Sequence, residues 1–175
     1  MKQAVVSVLF LGYCAFLSAT PQSASSVPNP RTRLLTAKIL YVARMPDNLD
    51  QWLIADLKTW GRYQITASPQ GVDLEIRAKV PARQPRYSVR GGVPVERKQK
   101  QRPPVLSITL VDWVTGEKLW QADILNSGLK NNANSPPGPE AKIDARHMTP
   151  DQIAQRCATD LRRYVTQLEQ QQAKK

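Results

Sequence analysis

The sequence predicts an α/β fold of the α+β kind, a mixed sheet of about five strands with two amphipathic helices packed on one face. Three observations carry that expectation. Apolar and polar residues alternate through 62–67 and 72–80, the period of half-buried strands, and 105–113 and 118–125 again read as strands. Leu49, Trp52, Leu53, Leu57 and Trp60 recur at three- and four-residue steps, as do Ile153, Cys157, Leu161, Tyr164, Val165 and Leu168; each set makes one apolar helix face. Residues 34–43, LLTAKILYVA, are β-branched and apolar enough for a buried strand.

The chain opens with Lys2, runs apolar from Ala4 to Leu17, and reaches Ser18, Ala19 and Thr20. That order is the one a secretory signal needs, and the run is shorter than the roughly 20 residues of a membrane span. Residues 1–19 are therefore expected to be a signal peptide and the remainder an exported, periplasmic protein without a transmembrane span. Cys14 lies inside the run, after Tyr13 and before Ala15, Phe16 and Leu17. A lipidated cysteine follows a small residue and ends the apolar stretch, so this context argues against an anchor there. Cys157 would then be the one remaining cysteine, and the fold must stand without an internal disulfide.

Residues 20–33 are Pro/Ser-rich and read as a flexible linker; 34–170 read as one domain and 171–175 as a disordered tail. Within the domain, Asp47 is expected to cap a helix from about Asn48 to Trp60, closed by Gly61. Pro69 and Gly71 in SPQG suit a hairpin turn that would set Ala67 against Val72, Ile65 against Leu74 and Tyr63 against Ile76. A three-residue loop Val114–Thr115–Gly116, with Gly116 left-handed, would set Leu110 against Trp120, Ile108 against Ala122, Leu106 against Ile124 and Asp112 against Lys118. Residues 126–147 read as a polar loop. Thr149, Pro150 and Gln152 then supply an N-cap, a first-turn proline and a capping-box partner for the last helix, with QQQAKK frayed behind it.

Chemistry is sparse. His147 is the single histidine, which excludes His-based metal clusters and a triad with a spare base. Cys157 falls on an apolar helix face and reads as a small hydrophobe. Gly91–Gly92 lacks the strand-then-helix setting of a phosphate loop. No catalytic residue, metal site or cofactor is predicted, and an enzyme is not expected. A hydrolase using carboxylates would need two of Asp47, Asp73, Asp112, Glu117 and Asp123 to converge. Trp52, Trp60 and Trp120 read as core; Trp113 points the other way beside a turn and is the candidate partner contact.

Charge is the strongest functional lead. The formal net charge is +11. Residues 81–104 hold Arg83, Arg86, Arg90, Arg97, Lys98, Lys100 and Arg102 against Glu96 alone, in a Pro-rich segment read as an extended, mobile loop. Such a cluster binds polyanions by charge neutralisation. Tyr87 is its one aromatic, so a stacking platform is absent and nucleic acid is not expected as a partner.

The stretches AKILYVA, LDQWLIADLKTWG and YQITASPQGVDLEIRAKV, then LSITLVDWVTGEKLW and the helix IAQRCATDLRRYV, resemble small exported bacterial α/β domains. The likeness is to the N-terminal domain of the Tol–Pal translocation protein and to curli-secretion and lipoprotein-activator domains. It covers about residues 34–168, and its most specific piece is Asp112, then Thr115-Gly116, then Leu119-Trp120. Gly71-Val72-Asp73 stands where an Ala-Asp pair is usual. The resemblance implies a non-catalytic binding or assembly role at the bacterial envelope, with an envelope protein or an anionic envelope component as partner.

Overall fold

The computed structural model describes residues 29–81, 87–90, 93–96, 105–126 and 137–174. The expected α/β architecture is present. A mixed six-stranded sheet, in the order β2-β1-β3-β6-β7-β8, carries three helices against one continuous core. Its elements are α1 (Pro30–Thr36), β1 (Ile39–Val42), α2 (Leu49–Trp60), β2 (Gln64–Thr66), β3 (Leu74–Lys79), β4 (Tyr87–Arg90), β5 (Val93–Glu96), β6 (Leu106–Asp112), β7 (Lys118–Leu125), β8 (Glu140–Asp144) and α3 (Pro150–Ala173).

Helix α1 replaces the end of the expected linker and the start of the expected strand, which shrinks to Ile39–Val42. The Asn29 side chain accepts from the Arg31 N–H at 3.0 Å, and Pro30 takes the first helical position, where its missing N–H costs nothing. Leu34 is 1% exposed. The Tyr63 hydroxyl donates to the Leu34 carbonyl at 3.1 Å, and Arg62 Nη2 donates to the Leu35 carbonyl at 2.7 Å. These two bonds take up carbonyls that the short helix leaves without an intrahelical partner. Burial pushes the Tyr63 phenol up to about 12. A phenol raised this way stabilises the fold fully below about pH 10, its ordinary value, and that contribution is lost as pH climbs through 12. Tyr63→Phe is expected to lower stability by about 1 kcal/mol at neutral pH and to remove a late-titrating phenol from an ultraviolet pH titration.

The expected β2–β3 hairpin does not form. Strand β1 lies between the two and pairs with both in parallel, Leu40 facing Ile65 on one side and Leu74 on the other. Ile65 and Leu74 thus share the level that the hairpin would have given them, with a fully buried leucine between. The connection 67–73 carries the chain past β1 without a helix, turning at Gly71, whose φ is 70°. Seven residues suffice because the span is two strand spacings, roughly 10 Å, well inside the reach of about 20 Å. Asp73 then accepts from the N–H groups of Lys38 and Ile39 at 2.8 and 3.0 Å, closing the start of β1.

In α2 the buried stripe is Leu49, Leu53 and Leu57, and Trp52 is 51% exposed. It lies about 100° around the helix from Leu53, past the edge of the contact, so it is not core. Trp60 is partly buried, meets Tyr63 edge-on at 5.4 Å and lies under the Arg162 guanidinium at 5.6 Å. Asp47 does not cap: it and Asn48 both take φ of 55° in a short 3-10 turn, a region that Asp and Asn tolerate. Gly61 closes the helix at φ 71° as expected.

The β6–β7 hairpin keeps the expected pairs Leu106–Ile124, Ile108–Ala122 and Leu110–Trp120. A bulge after Leu110 then sets Val111, not Asp112, against Lys118. The polar loop 126–147 contains β8, parallel to β7, with Ile143 1% exposed. Helix α3 has the predicted capping box, the Thr149 N–H reaching Gln152 at 3.1 Å, and buries Cys157, Leu161, Tyr164, Val165 and Leu168. It continues to Ala173, through part of the expected tail. Strands β4 and β5 pair antiparallel, so the expected loop 81–104 contains a hairpin, which forms a two-stranded sheet of its own.

Candidate functional site

The best-built exposed feature is the β6–β7 turn. Asp112 organises it. Its carboxylate, 1% exposed, takes Arg33 Nε on one oxygen; Arg33 Nη2 at 3.4 Å and the N–H groups of Val114 at 2.8 Å and Thr115 at 3.0 Å share the other. The Asp112 N–H donates to the Glu117 carbonyl at 2.9 Å, and the Gly116 N–H donates to the Asp112 carbonyl at 2.8 Å. Gly116 has φ 69°, a left-handed position that a Cβ would strain. One further bond ties the turn to the neighbouring connection: the Trp113 N–H donates to the Asp73 carbonyl at 3.0 Å.

The backbone of the turn is thereby held while its apolar side chains are left outside. Trp113 is 42% exposed and Val114 75% exposed. An aromatic anchor on a pre-ordered backbone loses little entropy on binding, which is how interface hot spots gain affinity. Trp113 was legible in the sequence as a candidate contact. Val114 and Arg33 were not: Val114 reads as a loop residue, and Arg33 stands in a stretch without strand periodicity.

Arg33, rather than Lys118, answers Asp112. The bulge takes Asp112 out of register with Lys118, whose Nζ instead lies 3.5 Å from Glu140 and 3.0 Å from Gln121 Oε1. The guanidinium first, and the two backbone donors after it, hold the Asp112 carboxyl below the ordinary carboxylate range. Asp73 is engaged by β1, and Asp123 accepts from Ser107 at 2.7 Å and from Gln121 at 2.6 Å. Asp73, Asp112 and Asp123 thus each hold a strand or a turn. Cys157 is buried and its thiol is pushed up by that burial, which makes it a poor nucleophile. Among the described residues no group of three or more His, Cys, Asp or Glu is placed to hold a metal ion, and no helix is long and apolar enough to cross a membrane.

The basic candidates divide. Arg83, Arg86, Arg97, Lys98, Lys100 and Arg102 lie outside the described residues, and Arg90 ends β4. The segment that carries them leaves the sheet after β3 and rejoins it at β6. Lys79 pairs with Ser107 at that end, whereas Leu74 pairs with Asp112 at the other. The two points where that segment leaves and rejoins the sheet therefore lie at the end of the β3–β6 pair opposite the Trp113 turn, the paired residues spanning five steps or roughly 17 Å at about 3.3 Å per residue. Comparison with known protein families, curated proteins and solved structures returns no match.

Proposed function

We propose that the protein is an exported, non-catalytic binding or assembly domain of the bacterial cell envelope, contacting a protein partner through Trp113 and Val114. The observation that carries this reading is the hydrogen-bonded β6–β7 turn, in which a partly buried ion pair and five backbone donors hold two apolar side chains out to solvent. A carboxylate locked below its usual range by an arginine suits scaffolding better than proton transfer near neutral pH.

The test is photocrosslinking in the cell from a reactive residue at position 114. One partner of defined size is expected, lost on Trp113→Ala while the melting temperature of that variant shifts by no more than about 3 °C. A crosslinking pattern unaffected by Trp113→Ala overturns the reading.

A second reading, polyanion binding through 81–104, draws on a different observation. Lys79 and Arg77, both exposed, the latter 3.9 Å from Glu75, stand on β3 shortly before the basic segment in the chain.

A further inference from the structure

Strand β8 closes one side of the six-stranded sheet, and among the described residues no strand lies beyond it. The Gln121 N–H donates to the Pro139 carbonyl and the Ala145 N–H to the Leu125 carbonyl, each at 2.8 Å. Odd-numbered residues from 139 to 145 therefore turn their backbone groups to β7. The period of two turns those of Glu140, Lys142 and Asp144 the other way. The opposite edge offers no such row. Strand β2 has three residues, its Gln64 N–H donates inward to the Lys38 carbonyl at 2.7 Å, and Ile65 is the one residue whose backbone faces out. An outward row of donors and acceptors is a template for a further strand.

The side chains of β8 select the strand that fits. Glu140 and Lys142 are exposed, and Ala141 between them is partly buried on the core side. Segment 138–145 carries Glu140 and Asp144 against Lys142 in a chain of net charge +11, so its charge does not add to the chain's self-repulsion. Two copies of β8 laid antiparallel about a two-fold axis can meet in few registers. An axis at Lys142 sets Lys142 against its own copy and Glu140 against the second copy's Asp144, like charges at every outward position. An axis at Ile143 brings Lys142 to the second copy's Asp144, which is 9% exposed and already accepts from the Arg146 N–H at 3.2 Å. It also runs the pairing into the turn closed by the Met148 N–H on the Ala145 carbonyl. An axis at Ala141 sets Glu140 against the second copy's Lys142 at two symmetric pairs. The two alanines then meet at the non-hydrogen-bonded centre, where the backbones come closest. Within the chain, Asp123 is in register with Lys142, and Glu140 lies 3.5 Å from Lys118 Nζ. A row across the axis then reads Asp123, Lys142, Glu140, Lys118, alternating in sign from one copy into the next. We propose that β8 pairs antiparallel with β8 of a second copy of this chain about an axis at Ala141, joining the two sheets into one. The proposal goes beyond the Trp113 reading and does not depend on it.

The experiment follows the chain from Thr20 onward, which omits the apolar N-terminal run and retains every described residue, by sedimentation velocity over a concentration series. A monomer–dimer equilibrium with a dissociation constant on the order of 100 μM is expected, because one strand pair is a small interface. Lys142→Glu and Glu140→Lys, made separately, each set like charges opposite one another at both pairs. Each is expected to weaken the dimer about tenfold or more and, at an exposed position, to move the melting temperature by no more than about 3 °C. Mixing the two variants restores opposite charges and should give a heterodimer about as tight as the dimer of the unaltered chain. The double variant Glu140→Lys/Lys142→Glu should recover in the same way, and it carries the comparison if either single variant fails to fold. Lys142→Pro removes an outward N–H, leaves the ladder to β7 intact, and should abolish the dimer. A chain that stays monomeric at about 1 mM, or a dimer indifferent to both Lys142→Glu and Lys142→Pro, overturns the proposal. So does a loss that neither mixing nor the double variant recovers.

Discussion

Leu34→Ala is expected to destabilise the protein by about 3 kcal/mol, close to 10 °C in melting temperature. Leu34 is 1% exposed and belongs to the same core as Leu40, Leu57 and Trp120. Truncating it removes the apolar surface that α1 buries and leaves a cavity that a seven-residue helix, tied at its carbonyls by Tyr63 and Arg62, is poorly placed to fill. A frayed α1 with Leu34 in solvent would give a change below about 0.5 kcal/mol, as surface substitutions do. Urea unfolding with the midpoint compared at constant slope separates the two outcomes.

Arg33→Met is expected to cost about 3 kcal/mol at pH 7. Arg33 keeps part of its side chain in water, but Asp112 does not. Removing the guanidinium leaves a buried carboxylate with two backbone N–H groups and no cation, the arrangement that makes half of a buried pair more damaging than neither half. The pH dependence has a defined sign. Asp112 is held below the ordinary carboxylate value, so the pair's contribution is fully present above about pH 4 and is lost as pH falls through the lowered folded value. The deficit of Arg33→Met should therefore shrink on acidification as the carboxyl protonates. Adding Asp112→Asn to Arg33→Met should recover part of the loss, because the amide no longer buries a charge. A deficit independent of pH between 7 and 3, with no recovery in the double variant, would show that the pair does not hold the turn.

Local rules made much of this molecule legible. The 3.6-residue stripe with the Thr149, Pro150 and Gln152 start signals specifies α3, and Gly61 specifies the end of α2. The three apolar pairs of β6 and β7, with glycine at 116, specify that hairpin, because the side-chain period of two makes any one-residue slip expose Leu110 and Trp120. The apolar, basic run at the N-terminus and the charge of 81–104 are likewise written in the chain. Trp113 was marked by its parity in the strand. Each of these depends on residues near one another in sequence, where periodicity and turn chemistry act without knowledge of the rest.

Tertiary contact decided what those rules cannot see. Ile65 and Leu74 match equally well across a turn or across an intervening leucine, and Leu40 wins because β1 then finds hydrogen-bonding partners on both edges. Ile143 is one apolar residue among polar neighbours, too weak a signal for a strand until β7 offers it an edge. Pro30–Thr36 is too short to be helical alone, since nucleation is costly, and forms where Leu34 has a core to enter. Trp52 shares the helical spacing of its neighbours and is left outside by the angle at which α2 meets the core. The partner of Asp112 changed from Lys118 to Arg33 through one bulged residue, which breaks a register that sequence spacing can only extrapolate.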